Sequence, residues 1–146
     1  MSTDLYREMF GEKGLDVLEF EHAEPALKEI ESRRFAAILM DLRLAPGMDF
    51  QNDRGLRNLV GKLESGFDRI DYGVIGIHVI RRARNSNSPN HKTPIVVHSV
   101  YDRDNDVLFP NAKRRALRAG ADLFIEQGLE TYHEVLEEVL KRIRSH

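Results

Sequence analysis

The chain has no cysteine among its 146 residues. This absence excludes disulfides, thiolate metal sites and cysteine nucleophiles. An excess of charge of one sign is also lacking, because 22 Lys and Arg residues nearly balance 24 Asp and Glu residues and leave a net charge of −2. A chain this close to neutrality has no bulk attraction for nucleic acid or anionic lipid. We therefore expect neither nucleic acid nor a membrane as a partner.

Long hydrophobic stretches are missing as well, since the longest apolar run covers only residues 35–40. A membrane-spanning helix needs about 20 apolar residues, and the first residues lack the apolar stretch of a secretory signal. We therefore expect a cytoplasmic protein. The length and the hydrophobic fraction of 41% predict one globular domain over residues 1–146.

The sequence does contain an alternation of strand-like and helix-like segments. Short apolar or β-branched runs predict strands, and apolar residues at helical spacing predict helices. The predicted strands cover residues 15–20, 35–40, 94–99 and 122–126. One helix is predicted where the chain opens, ending at residues 11–14, and the others cover residues 25–34, 53–66, 72–84, 110–118 and 129–144. Such an alternation indicates an α/β domain built on a parallel sheet.

The segment at residues 53–66 has four aliphatic side chains on one helical face: Leu56, Leu59, Val60 and Leu63. Four such side chains on one face are rarely left in water. We expect this stripe to pack on the domain or on a second copy of it.

Three polar residues follow or end predicted strands, and these positions are where open α/β sheets build their sites. Asp41 follows the apolar run at residues 35–40, Ser99 ends the next strand, and Gln127 follows the last one. From its spacing alone, Asp41 is either a hydrogen-bonded structural carboxylate or a reactive group. We expect Asp41 and Ser99 to lie close together, because parallel strands present their carboxyl ends at one edge of the sheet.

Three stretches of the chain, in this order, resemble the receiver domains of response regulators. DLRLAPGMD at residues 41–49 is similar to the strand end and loop that carry the phosphoacceptor Asp in that family. TPIVVHSV at residues 93–100 resembles the fourth strand with its terminal Thr or Ser, and AGADLFI at residues 119–125 resembles the motif at the fifth strand. The resemblance implies a three-layer α/β/α fold of the flavodoxin or CheY type.

The resemblance also implies roles for particular residues. Asp41 would accept a phosphoryl group, Ser99 would contact that group, and Phe124 would stand at the aromatic switch position. A Mg²⁺ ion would be held by Asp41 and the backbone carbonyl of Arg43. The implied partner is a histidine kinase or a phosphotransfer protein.

The chain departs from the family pattern in three places. The family's first strand, which ends in an acidic pair, has no counterpart in the sequence, and Gln127 stands where the family has a Lys. Residues 50–71 insert an extra helical segment after the family's third strand. Since the metal ligands and the cation are both altered, we expect Asp41 to be a poor phosphoacceptor.

These observations predict a stand-alone, atypical receiver-like signalling domain that is not an enzyme and acts mainly by protein–protein interaction. Two alternatives stay open at this stage. The first is an active phosphoacceptor whose acidic pair lies upstream of the chain. The second is an oligomeric scaffold or interaction protein on a receiver fold, for example a homodimer.

His98 and two basic runs are interpreted as structural rather than functional features. His98 and Ser99 are neighbours on a strand, so they point to opposite faces and cannot act as a catalytic pair; His98 is predicted to be a hydrogen-bonded structural residue. The basic runs at residues 81–84 and 113–118 are predicted to be solvated helix faces, with a basic docking surface as the alternative.

Overall fold

The computed structural model describes residues 3–66, 73–99, 111–126 and 131–145. Its six helices are α1 (Thr3–Gly11), α2 (Ala23–Ser32), α3 (Arg54–Gly66), α4 (Gly73–Arg84), α5 (Ala112–Ala119) and α6 (Thr131–Ser145). Its three strands are β1 (Ile38–Met40), β2 (Ile95–Ser99) and β3 (Leu123–Glu126), and a 3₁₀ turn covers Phe50–Asn52. Over these described residues, every helix is too short or too polar to cross a membrane.

The three strands form one parallel sheet in the order β1-β2-β3. Leu39 of β1 lies opposite Val96 of β2, and Val96 lies opposite Leu123 of β3. All five residues of β2 are buried, and a central parallel strand is covered on both faces, which explains why its first three residues are apolar and β-branched. The predicted α/β fold of the flavodoxin or CheY type is confirmed.

Helices cover both faces of the sheet and create two apolar clusters. Ile95 and Val97 of β2 lie in a cluster with side chains of α2, α3, α4 and α5. Val96, the residue between them, lies in the other cluster with side chains of α1 and α6. The strand period of two residues sends neighbouring side chains to opposite faces and so produces the three layers.

The predicted strand at residues 15–20 is wrong. The segment does show a strand-like burial pattern, with Leu15 and Val17 packed and Asp16 and Leu18 exposed. It nevertheless forms no ladder, and nearby only an isolated bridge joins His22 to Ala45. A strand requires a partner at ladder distance as well as an alternating pattern, and in the described sheet β1 pairs with β2 alone.

The predicted strand at residues 35–40 is real but shorter, because its first residues are held by side chains. The backbone N–H of Phe35 donates to Asn90 Oδ1 at 2.8 Å, and Thr93 Oγ1 donates to the Phe35 carbonyl at 3.3 Å. These bonds satisfy the Phe35 backbone without a neighbouring strand. The ladder with β2 therefore begins at Ile38.

The inserted helix α3 packs on the domain, as its apolar stripe predicts. Leu56 and Val60 are buried in the cluster that covers one face of the sheet, and Leu59 packs against it; the side chain of Leu63 lies outside the described residues. Asp53, the residue before α3, accepts two bonds from Arg82 of α4 at 3.0 and 3.2 Å. The insert is thus tied to α4 by apolar contact and by a charged pair.

Candidate functional site

Asp41 and Ser99 meet at the carboxyl edge of the sheet. Asp41 directly follows β1, Ser99 ends β2, and the two strands run parallel. Ser99 Oγ donates a hydrogen bond to Asp41 Oδ1 at 3.2 Å, and the backbone N–H of Arg43 donates to the same oxygen at 3.1 Å. Ser99 is buried and Asp41 is half-buried. The predicted juxtaposition of the two residues is confirmed.

The loop after Asp41 is held from two sides. Leu42 is fully buried, and its carbonyl accepts a hydrogen bond from the Gly76 N–H of α4 at 3.1 Å. Farther along the loop, the Ala45 carbonyl accepts a bond from the N–H of Ala23, the first residue of α2, at 2.9 Å. Backbone N–H groups in the first turn of a helix have no partner inside that helix. The Ala23 N–H is such a group, and its hydrogen bond to Ala45 holds the loop that follows Asp41 against the start of α2.

The remaining predicted site residues have different outcomes. Phe124 is buried in the cluster that also contains α4 and α5, and it lies opposite Val97 in the sheet. Its role as an aromatic switch stays a prediction, as does a metal-binding role for the Arg43 carbonyl. Gln127 lies outside the described residues.

The described side chains at this edge do not fit a Mg²⁺ ion. Mg²⁺ requires near-octahedral oxygen coordination and dehydrates reluctantly, so its protein sites supply carboxylates of dense negative charge. Over the described ranges of the chain, His, Asp and Glu side chains form no group of three that would hold a metal. Asp41 Oδ1 already accepts two hydrogen bonds. A Mg²⁺ site at Asp41 would need ligands from residues outside the described ranges.

A buried polar network behind the site was only partly predicted. His98 is completely buried, and it faces the side of the sheet covered by α1 and α6. One ring nitrogen, Nδ1, is hydrogen-bonded to the Tyr6 hydroxyl of α1, and Nε2 lies 2.8 Å from Thr131 Oγ1 of α6. The prediction of a structural histidine is confirmed. Its two partners could not be predicted from the local pattern, because they lie far from His98 along the chain.

Acidification is expected to destabilise the protein through its buried histidines. Burial lowers the pKa of His98, although the Asp41 carboxylate partly offsets this effect, and burial beside Arg82 lowers the pKa of His78. The unfolded chain, with histidine pKa values of about 6.5, then binds protons that the folded chain does not. The stability from this effect is complete above about pH 6.5 and is lost as the pH falls toward the lowered pKa values.

The measurement is the free energy of unfolding in urea at several pH values between about 7.5 and 5. His98→Gln and His78→Gln should each reduce the slope of this free energy against pH. An unchanged slope in both His98→Gln and His78→Gln would contradict the expectation.

No protein-family model matches the sequence, and no curated protein matches it either. Among solved structures, the receiver domain of the sensor histidine kinase PA1611 from Pseudomonas aeruginosa PAO1 matches with a TM-score of 0.62 and 17% sequence identity. The match covers 97% of this chain and 87% of that one. The chain has the receiver fold.

That receiver domain was crystallised with a magnesium ion coordinated in its active-site cleft. In the present chain, Asp41 and Ser99 lie at the carboxyl edge of the sheet, and Ser99 donates a hydrogen bond to Asp41. The family resemblance seen in three short motifs and the likeness of the whole fold therefore agree, although sequence identity is low.

Proposed function

We propose that the chain is a receiver-like signalling domain of the two-component or phosphorelay type that acts mainly through protein–protein contact. The observation that carries the proposal is the Ser99–Asp41 hydrogen bond of 3.2 Å at the carboxyl edge of a receiver fold. The fold likeness favours a histidine kinase or a phosphotransfer protein as the partner. A cytoplasmic location fits this proposal.

Charge argues against efficient phosphoryl transfer to Asp41. In such a transfer, the P–N bond of a phosphohistidine breaks while a P–O bond to Asp41 forms, and the negative charge of the phosphoryl group must be neutralised. Ser99 offers one hydrogen bond, worth about 0.5–1.5 kcal/mol net. A unit charge about 4 Å away contributes roughly 4 kcal/mol near a protein surface. Gln127, at the family's Lys position, supplies no charge.

An active phosphoacceptor is the second candidate, and the magnesium-bound neighbour motivates it. This candidate needs carboxylates from beyond the described residues to complete a metal site around Asp41. The two candidates therefore differ in whether Asp41 of this chain binds Mg²⁺.

A Mg²⁺ titration followed by NMR separates the two candidates. We expect no saturable change at the amides of Arg43 and Ser99, because the described residues form no group of three His, Asp or Glu side chains that would hold the ion with Asp41. Asp41→Asn tests whether any change depends on the acceptor carboxylate. Asp49→Asn, at an exposed position in the same loop, is the matched control.

A saturable shift that disappears in Asp41→Asn and persists in Asp49→Asn would contradict the proposal. That result would support the second candidate, an active phosphoacceptor. A shift that survives Asp41→Asn would indicate only general binding of the cation to surface carboxylates.

A further inference from the structure

Helix α5 exposes a basic surface that we call the basic face: Lys113, Arg114, Leu117 and Arg118. The opposite side of the helix, with Ala112 and Ala116, is buried in the domain. The helix has no acidic residue, and Leu117 is 38% exposed in the middle of the cations. An apolar side chain surrounded by cations is the composition of a contact surface with an apolar centre and a polar rim.

The cations of the basic face differ from Arg82 and Arg84 of the adjacent helix α4. On the adjacent α4, Arg82 is paired with Glu31 and Asp53, and Arg84 is paired with Asp122. By contrast, none of the ion pairs found among the described residues engages Lys113, Arg114 or Arg118. The positive charge of the basic face is therefore not neutralised within the described chain.

A second exposed leucine lies among charges of the opposite sign. Glu12, Asp16, Leu18 and Glu21 are exposed in the stretch between α1 and α2, and we call these four residues the acidic segment. The exposed Lys13 lies in the same stretch, so acids outnumber bases there without excluding them. Leu18 is 50% exposed. The acidic segment therefore resembles the basic face with the sign of charge reversed: one exposed leucine among charges that are mostly of one sign.

The two surfaces lie at opposite sides of the sheet. The stretch that carries the acidic segment ends beside the loop after β1, where His22 bridges to Ala45. Helix α5 packs on β3, at the other end of the strand order, and on α4. Within one chain the two surfaces are thus separated by the width of the sheet.

We propose that the basic face of one copy binds the acidic segment of a second copy, head to tail. Charge complementarity identifies the occupant, since the acidic segment has the opposite charge and its own exposed leucine. Leu117 and Leu18 form the apolar centre of this contact, and the charged side chains form its rim. Because two different surfaces are joined, the contact is heterologous and produces either a ring or an open chain.

This inference does not rest on the proposed signalling function. In this proposal the basic run at residues 113–118 binds a second copy of the chain, whereas a solvated helix face would bind nothing. Nucleic acid is a less suitable occupant than a second copy, because the net charge of −2 and the acidic segment oppose its approach and Leu117 gains no contact from phosphates.

Sedimentation equilibrium of the full chain tests the proposal. At low salt, we expect the average mass to rise above 16.8 kDa with protein concentration. At about 1 M salt, where the screening length falls to about 3 Å, we expect the mass to return to that of the monomer. A chain that stays at 16.8 kDa at every concentration overturns the proposal. A monomer that instead retards a short DNA duplex overturns it in favour of a nucleic-acid surface.

Charge reversal identifies the surfaces. Lys113→Glu/Arg118→Glu and Asp16→Lys/Glu21→Lys should each abolish association. The combined variant, with all four changes, restores complementarity at the wild-type net charge and should associate again. This restoration also shows that loss in either double variant is not caused by misfolding.

Two variants match the changes in net charge. Arg34→Glu/Lys92→Glu and Glu134→Lys/Glu137→Lys change exposed residues on other surfaces and should still associate. Association that persists in either reversal of the proposed surfaces, or that fails to return in the combined variant, overturns the head-to-tail contact.

Discussion

Replacement of Gly76 by alanine is expected to lower the free energy of unfolding by about 3 kcal/mol, which corresponds to roughly 10 °C in the melting temperature. A Cβ atom at this position would lie 2.4 Å from the Leu42 carbonyl oxygen and 2.5 Å from Leu42 Cα. Both atoms are backbone, so neither can swing away as a flexible side chain does. Alanine would gain at most about 1 kcal/mol of helix propensity, which is less than the cost of the overlap.

The same substitution should disturb the candidate site, because Leu42 directly follows Asp41. Relief of the overlap requires α4 to move away from the loop, which breaks the 3.1 Å bond from the Gly76 N–H to Leu42. Thermal unfolding of Gly76→Ala and Gly61→Ala measures the effect. Gly61 lies in α3, and among the described residues outside its own helical backbone no atom would lie within 4 Å of an added Cβ, so its substitution should stabilise the helix slightly. Equal stability of the two variants would refute the close approach of α4.

Arg84→Ala is expected to cost about 3 kcal/mol, because this arginine satisfies backbone carbonyls that lie far apart along the chain. Its guanidinium donates to the Asp122 carboxylate at 2.9 Å and to the carbonyl oxygens of Asn90, His91, Thr93 and Gly120 at 2.6–3.2 Å. The Asp122 carboxylate also accepts the backbone N–H of Ile95 at 2.7 Å. Loss of Arg84 therefore leaves acceptors unpaired at the starts of β2 and β3.

Two further variants separate geometry from charge at this position. Arg84→Lys keeps the charge but cannot serve several acceptors with a planar fork, so it should recover little of the stability. Arg81→Ala removes a cation that is exposed on the same helix, and its effect should stay within about 0.5 kcal/mol of wild type. Unfolding in urea gives these values, and an Arg84→Ala variant as stable as Arg81→Ala would contradict the account.

The arginines of α4 form ion pairs that could not be predicted from the sequence. The run at residues 81–84 has the composition of a solvated helix face, and that interpretation is wrong for Arg82 and Arg84. Their partners, Asp53 and Asp122 among them, are distant in sequence and meet them only after the layers have packed. Local pattern carries no information about such long-range pairing.

The strands also show which features can be predicted from local sequence and which cannot. The run that forms β2 and the position of Asp41 beside Ser99 were predictable, because buried parallel strands have a recognisable composition and a shared edge. The alternation at residues 15–20 was equally strand-like, yet it forms no ladder with any part of the chain that the structure describes. Whether a strand pattern becomes a strand depends on a neighbour that the segment itself does not encode.

Incubation with acetyl phosphate and Mg²⁺, followed by intact mass spectrometry, tests the central claim most directly. The P–O bond of the donor would break and release acetate as a new P–O bond to an Asp41 carboxylate oxygen forms, so success adds one phosphoryl group to the 16.8 kDa chain. We predict little or no added mass, because Ser99 alone does not replace a metal ion and a cation around the phosphoryl oxygens. A gain of one phosphoryl group that is absent in Asp41→Asn would contradict this account and identify Asp41 as a working phosphoacceptor.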